Sequence, residues 1–250
     1  MRGVARVAAA TVAVLLFAGF VGLGTWQVER RAWKLDLIER VEQRVHASAV
    51  AAPEPANWPE VNAVRDEYRH VSVTGTFLHD KESLVQAVTT LGSGFWVLTP
   101  LRQVRDGSVV LVNRGFVPPE ARERTARTAS EPLGVTTVTG LLRVTEPKGG
   151  FLRSNDAATS RWYSRDVQAI AAAKGLAKVA PYFIDADAIP SAGEHAWPAG
   201  GLTVISFQNN HLVYALTWYA LALMVVGAAW IFRRQGPQDR AEPGPTSVGD

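Results

Sequence analysis

The sequence contains no cysteine. Disulfides, thiol catalysis and cysteine-ligated iron–sulfur clusters are therefore excluded for these 250 residues. Only two methionines occur, Met1 and Met224, so a copper site built from soft sulfur ligands is not expected. The five histidines are scattered without H-x-x-x-H or H-E-x-x-H spacing, and the sequence has neither a phosphate loop nor a G-x-S-x-G motif. Local sequence thus predicts no zinc site and no serine hydrolase.

Charge and the remaining short motifs also fail to indicate an enzyme or a nucleic-acid-binding protein. The 26 Lys and Arg residues, against 23 Asp and Glu, are spread along the chain, so no nucleic-acid partner is expected. The G-x-G of Leu91–Phe95 lacks a third glycine and predicts a flexible turn. Asp185 and Asp187 fit a solvated strand end better than a catalytic carboxylate pair, and Arg161–Asp166 fits a surface packing cluster. Arg114 fits an anion ligand or, at least as well, a donor to loop carbonyls.

Two long uncharged stretches, residues 7–28 and 212–232, predict transmembrane helices. Each is close to the about 20 apolar residues that a helix needs to cross a bilayer. A cleaved signal peptide is the alternative for the first stretch. Its apolar run is longer than the apolar core of a typical signal peptide, which has about 7–15 residues. The run also leads into Trp26 rather than into a clear A-x-A cleavage site.

Basic residues indicate the orientation of the two predicted spans. Arginines flank the spans on the side of both chain termini: Arg2 and Arg6 precede the first span, and Arg233 and Arg234 follow the second. The positive-inside rule therefore places both termini in the cytoplasm. Arg30, Arg31 and Lys34, directly after the first span, oppose this assignment. We expect a multi-pass protein of the bacterial cell membrane, with both termini cytoplasmic and residues 29–210 on the outer side. The polar, Pro- and Gly-rich residues 235–250 predict a disordered cytoplasmic tail.

Residues 29–210 predict a β-rich domain that begins with a helical extension. The first helix is expected to continue along an amphipathic face and to end at the prolines of residues 52–60; that face consists of Trp33, Leu37, Val41 and Val45. Alternating or apolar runs then predict six strands, at Tyr68–Phe77, Phe95–Leu101, Val109–Val117, Thr136–Thr145, Pro181–Asp187 and Gly200–Gln208.

One further helix and one tight turn complete the predicted domain. Asp106–Gly107 suits a hairpin turn, and residues 164–175 predict a helix with Ser164 as N-cap and Gly175 as C-cap. The predicted fold class is a membrane-anchored α+β protein. Its two transmembrane helices, N- and C-terminal, flank a mainly antiparallel β domain or small barrel with few short helices.

His211 stands out because it opens the second predicted span. If this stretch is a helix, the residues three, four, seven and eleven positions after His211 lie on the same face as its side chain. They are Tyr214, Ala215, Trp218 and Ala222. These small and aromatic residues suit either packing against the first span, where Ala18 and Gly22 form a small pair, or a flat hydrophobic ligand such as haem. The alternative is that His211 caps the helix or bonds interfacial groups. Asn209 and Asn210 are candidate N-cap residues.

Several segments, in order along nearly the whole chain except the tail, resemble the Surfeit locus protein 1 family of cytochrome c oxidase assembly factors. They are Gly22–Val45, Tyr68–Phe77, Val110–Pro118, Gly140–Glu146, Arg161–Asp166 and Asn209–Ala222. The resemblance implies a non-enzymatic, chaperone-like role in inserting haem a into the catalytic subunit of the respiratory-chain oxidase. Its expected partners are that subunit, a haem a synthase and the lipid bilayer.

The resemblance also implies roles for individual residues. His211 matches the histidine held to ligate haem iron in bacterial members, with Tyr214 and Trp218 in the same motif as candidate pocket residues for transiently bound haem a. Gly75 matches a family glycine whose replacement is associated with loss of function, and we expect a structural role for it. Asn113 and Gly115 are likewise expected to be structural. The alternative function is a cofactor-free membrane scaffold, or an accessory subunit of the oxidase or of a respiratory supercomplex.

Overall fold

The computed structural model describes residues 2–147, 149–150, 152–188, 197–203 and 209–234. The chain divides into two compact units. Residues 1–38 and 207–250 form one, called here the helical unit, and residues 39–206 form the other, the β unit. The helices of the described residues are α1 Arg2–His46, α2 Ala63–Asp66, α3 Val167–Ala173 and α4 His211–Arg234. Single 3₁₀ turns occur at Pro55–Glu60, His79–Lys81, Pro119–Ala121 and Arg124–Ser130.

The helical unit is built from α4 and from α1 up to Ile38. The complete helices α1 and α4 are 45 and 24 residues long. By length and composition, both helices can cross a membrane. Their apolar side chains are mostly exposed within the chain, as Leu15 at 67% and Leu223 at 70% illustrate. The expected pair of long apolar end helices around a strand-rich region is confirmed. The domain limits 7–28, 29–210 and 212–232 stay predictions, and residues 235–250 lie outside the described part of the chain.

The β unit contains the strands β1 Val50–Ala51, β2 His70–Phe77, β3 Ser83–Thr89, β4 Gly92–Gln103, β5 Val109–Val117, β6 Val135–Val144 and β7 Val179–Ala186. Their order is β1-β2-β6-β7-β5-β4-β3, and β2 also pairs with β4. That extra pairing closes β2, β6, β7, β5 and β4 into a ring, with β1 and β3 as appended edges. The pairs β1–β2 and β5–β7 are parallel and the others antiparallel. The prediction of a mainly antiparallel β domain is confirmed, and of the two forms left open, an antiparallel sheet or a small barrel, the ring corresponds to the barrel.

The apolar pattern of each strand follows from which faces are covered. In β2, Val71, Val73 and Phe77 join one core cluster, while Thr74 and Thr76 are exposed. β5 and β7 are covered on both faces, because a second cluster under α3 takes their alternate residues Leu111 and Phe183. A strand covered on both faces reads as a continuous apolar run rather than an alternation. This accounts for the runs in β5 and β7.

Three strands differ from the prediction: two were not predicted and one was predicted but is not formed in its described part. β1 and β3 are not predicted, because β1 has two residues and β3 mixes polar and apolar residues without turn signals before it. The prediction of a strand at Gly200–Gln208 is wrong for residues 200–203, which do not form a β-strand. Residues 204–208 lie outside the described residues.

The N-cap of α3 is Asp166, whose side chain accepts from the Ala169 N–H, and not Ser164. The Ser164 hydroxyl instead accepts from the backbone of Gly149. The C-cap of α3 is Lys174 and not Gly175 as expected. Gly175 is the next residue, and its φ of +60° suits glycine at that position.

Candidate functional site

His211 is the first residue of α4. The Asn210 carbonyl accepts the first helical hydrogen bond, from the Tyr214 N–H at 3.2 Å, so Asn210 occupies the N-cap position as expected. The side-chain oxygen of Asn209 is buried and has no hydrogen-bond partner in the described structure. A buried acceptor without a partner is unusual. The start of α4 therefore carries an imidazole, and an unpartnered amide oxygen belongs to the residue two positions before it.

The imidazole of His211 is oriented by an amide from α1. Its Nδ1 lies 2.7 Å from Oε1 of Gln27. Because an amide oxygen only accepts, Nδ1 carries the hydrogen and donates it. A neutral imidazole then keeps its lone pair on Nε2, for which the described residues supply no hydrogen-bond partner. Oriented this way, the ring is prepared to ligate a metal through Nε2.

Aromatic and small residues pack α4 against α1 beyond this bond. The rings of Trp218 and Phe20 are stacked with centroids 5.8 Å apart. The Tyr219 ring lies over Gly24, where an added Cβ would approach it to 2.7 Å. Glycine permits this close approach because it has no side chain. The two helices therefore form a specific packed pair, with His211 at its end.

The face of α4 that was predicted around His211 is only partly the face that packs against α1. Ala215 and Ala222 are each 2% exposed, as the small residues of a helix interface should be. Tyr214 is 55% exposed.

The proposed packing of Ala18 and Gly22 is wrong. Ala18 is exposed, and a Cβ on Gly22 would meet nothing within 4 Å. Gly24 is the close-packed glycine instead, because positions 20, 24 and 27 share one face of α1.

The donor set suits a metal carried by a macrocycle better than a free ion. Among the described residues, no group of three or more His, Asp or Glu side chains is placed to hold a metal ion. Haem needs one or two axial protein ligands, since its porphyrin supplies the others. A single oriented histidine beside exposed apolar helices fits that requirement.

Gly75, Asn113 and Gly115 all lie in the β unit. A Cβ on Gly75 would overlap the Arg102 carbonyl where β2 pairs with β4 to close the ring. Asn113 is 3% exposed and links β5 to β7 by donating to Asp185 at 2.8 Å. Its side-chain oxygen accepts from the Gly115 N–H at 3.2 Å. Gly115 has a φ of +130° and leaves no space for a Cβ. The contacts of these three residues are all made within the β unit, and their structural role stays a prediction.

The interpretation of Asp185 as part of a solvated strand end is wrong. Its side chain is 3% exposed and accepts from Arg143 at 3.0 Å and Arg165 at 3.1 Å. Those arginines also pair with carboxylates, Arg143 with Glu67 at 2.7 Å and Arg165 with Glu146 at 2.6 Å. Buried charges are stable only when paired in this way. The network joins β6 and β7 to Glu67, at the end of α2, and to the segment just before α3.

Asp187, two residues on, has a different partner. Its carboxylate accepts from Nε2 of His70 at 2.8 Å, while Nδ1 of His70 lies 2.9 Å from the Ala47 carbonyl. Both partners are acceptors, so the geometry suits an imidazolium with two N–H donors. Burial opposes that charge, but the bonds to Asp187 and Ala47 outweigh it and raise the pKa of His70. Asp185 and Asp187 therefore do not act as a carboxylate pair.

Burial and bonding bear on two further sequence interpretations. Arg114 donates from Nη2 to the Ser130 carbonyl at 2.8 Å, as the structural interpretation expects, while its buried Nη1 has no hydrogen-bond partner among the described residues. Burial lowers the pKa of Arg114. Trp162 is 2% exposed within the core under α3, so the surface interpretation of Arg161–Asp166 is wrong for this residue. Sequence reasoning also missed Gln27, whose partner His211 lies 184 positions away.

Comparison with known proteins places the chain in a family. The SURF1 family model matches residues 14–223. Surfeit locus protein 1 of Mus musculus is 38% identical over 223 residues, covering 83% of this chain and 70% of the mouse protein. A SURF1-like protein of Monosiga brevicollis is 36% identical over 86% of this chain and 84% of its own length. Surfeit locus protein 1 of Homo sapiens is 36% identical over 80% of this chain and 69% of its own. The chain belongs to the SURF1 family.

Proposed function

We propose that this protein is a membrane-bound, non-enzymatic assembly factor of haem–copper cytochrome c oxidase that holds haem a on the way to the catalytic subunit. Family membership supports an assembly role. The observation that carries the haem-binding part is the Gln27–His211 hydrogen bond, which leaves Nε2 of the imidazole as a free ligand atom.

The residues of the helical unit divide the task of holding haem. His211 supplies an axial ligand, and Gln27 fixes its ring and tautomer. Trp218 stacks on Phe20 and keeps the two helices together, while Tyr214 is an exposed aromatic surface beside the imidazole. Bound haem supplies the porphyrin and the iron to which Nε2 would bind. One protein ligand implies modest affinity, which suits a carrier that must release haem.

The two apolar helices support a membrane setting. We propose that α1 and α4 cross the bacterial cell membrane, with the termini in the cytoplasm and the β unit on the outer side. Haem a would then be received from its synthase within the bilayer and passed to the oxidase subunit there. Because the chain lacks cysteine, single cysteines introduced at Val64 and in the tail can report this orientation without background labelling. Labelling of the tail, but not of Val64, by an impermeant reagent added outside would contradict it.

The haem proposal is tested by optical spectroscopy of the protein purified from cells that make haem a. The wild type is expected to carry haem with a histidine-ligated spectrum, and His211→Ala is expected to lose it. His46→Ala, an exposed histidine at the end of α1, is the matched control and should keep the haem. A colourless wild type would favour the cofactor-free scaffold or accessory subunit. Haem retained by His211→Ala would show that another residue is the ligand.

A further inference from the structure

An arginine-lined groove runs along the free edge of the sheet in the β unit. It consists of two hollows of about 760 and about 300 Å³ that share four lining residues, Gln86, Phe95, Arg122 and Tyr163. The three charged residues of its lining are all arginines: Arg122, Arg153 and Arg161. We call this feature the arginine groove.

The arginines of the groove are available for an anionic partner. All three are exposed, and none of the ion pairs within the described residues includes them. The guanidinium of Arg122 lies 5.1 Å from the centre of the Phe95 ring. The guanidinium of Arg153 lies 5.4 Å from the centre of the Tyr163 ring. Arg153 also donates one N–H, from Nη1, to the side-chain oxygen of Gln86 at 3.0 Å. Stacking on a ring holds a guanidinium while leaving its remaining N–H donors for other acceptors. The groove is thus a preorganised cationic surface without internal counter-charge in its lining.

The same groove exposes the outer edge of β3, which is bridged to Trp162 at Val85 and open at Val88. β3 is the last strand of the sheet, with β4 on one side only. On its outer side the Gln86 N–H donates to the Trp162 carbonyl at 2.8 Å, so residues 86 and 88 turn their backbone groups outward. The contact with Trp162 is a single bridge. Val88, two residues on, is 83% exposed and lines the groove. Its outward N–H and C=O form a template for another strand.

We infer that the arginine groove binds an extended acidic segment of another polypeptide, which adds to β3 at Val88. Backbone bonds to Val88 would fix the strand, and alternate side chains of the added segment would point its carboxylates at Arg122 and Arg153. A strand-addition site accounts for both observations, since a small anion needs the arginines but not the open edge. The inference does not depend on His211 or on haem.

The test uses the full-length protein in detergent and two fluorescent peptides, one alternating Val and Glu and one alternating Val and Lys. Fluorescence anisotropy is expected to show binding of the acidic peptide only, weakening as salt rises. Arg122→Glu and Arg153→Glu should each lower its affinity about tenfold. Arg102→Glu, an exposed arginine of β4 outside the groove, is the matched control and should leave the affinity unchanged.

Strand addition is tested separately with Val88→Pro, which removes the outward N–H without breaking the ladder to β4. It should also lower the affinity about tenfold, and the bound acidic peptide should slow hydrogen exchange in residues 84–90 of the wild type. Equal binding of the two peptides, or an equal loss in Arg102→Glu, would overturn the inference. Undiminished binding by Val88→Pro, or displacement of the peptide by inorganic phosphate or anionic vesicles at matched ionic strength, would also overturn it, in favour of a simple anion site.

Discussion

Gln27 and His211 lie 184 residues apart in the chain and are joined by a 2.7 Å hydrogen bond between their side chains. The bond ties the start of α4 to α1 and fixes which ring nitrogen is free. An outer-shell bond of this kind typically changes metal affinity by about 10–100-fold when it is removed.

Gln27→Leu should therefore weaken haem retention about tenfold or more while leaving the protein folded, because the ring loses its orientation and its tautomer. Titration of the purified protein with haem, followed by absorption, measures this affinity. Gln43→Leu, which removes a solvent-exposed glutamine of the same helix, is the control and should bind as the wild type does. Equal affinities for Gln27→Leu and the wild type would mean that Gln27 has no part in haem binding.

The two glycines of α1 should respond differently to the same substitution. Gly24→Val introduces methyl groups where the Tyr219 ring lies 2.7 Å from the added Cβ, so the helices must separate. Gly22→Val adds the same atoms where nothing lies within 4 Å. We expect Gly24→Val to lower the melting temperature in detergent and Gly22→Val to leave it unchanged or raise it, since valine is the better helix former. The reverse order would refute the packing of α1 on α4.

Gly75 closes the ring between β2 and β4, and its replacement should loosen that closure. Gly75→Val places a side chain against the Arg102 carbonyl and is expected to lower the free energy of unfolding by about 2–3 kcal/mol. Faster hydrogen exchange in β2 and residues 101–103 of β4 would report the effect locally. Thr76→Val, an exposed position next along β2, should change stability by less than about 0.5 kcal/mol. A similar loss in both variants would argue against a role for the close approach.

Asp185, in β7, and Asp187, directly after β7, offer a matched comparison of a buried and an exposed carboxylate. Asp185→Asn removes the buried charge shared by Arg143 and Arg165 and should destabilise the β unit by about 3 kcal/mol or more. Asp187→Asn removes a carboxylate that is 40% exposed and pairs with one histidine, so the loss should stay below about 1 kcal/mol. Chemical denaturation measures both values. Near-equal losses would contradict the burial of Asp185.

The His70–Asp187 pair should make stability depend on pH in a defined direction. The pKa of His70 is raised in the folded protein from its ordinary value of 6.5. His70 therefore binds a proton more tightly in the folded state than in the unfolded state. Its contribution is complete below pH 6.5 and is lost as the pH rises through the raised pKa. His70→Gln should abolish this decline, as should Asp187→Asn. A wild type whose stability is flat from pH 6 to pH 9 would contradict the pair.

Sequence patterns sufficed where a pattern reports burial directly. β2, β5 and β7 were predictable because their apolar residues alternate or run continuously according to which faces are covered. The long apolar helices were predictable for the same reason, as was the place of His211 at the start of one of them.

The rest depends on partners far away in the chain. Asp185 looks like a surface residue until Arg143 and Arg165 are brought to it. Gln27 looks like an ordinary polar residue near the end of the predicted first span until α4 is placed beside it. β3 lacks a clear pattern because it is an edge strand whose outer side is largely uncovered. Edge strands carry the weakest sequence signal because little is buried on them.

The position of β7 in the ring has a consequence for how the nascent chain matures. β7 lies between β5 and β6, so the five-strand closure waits for a segment that is synthesised after all the others. Until residue 186 has emerged, β5 and β6 each keep one bare flank, and the carboxylate of Asp185 is not yet available to neutralise Arg143. Ribosome stalling before this point should leave a protease-sensitive intermediate, whereas chains stalled far enough beyond it should resist digestion.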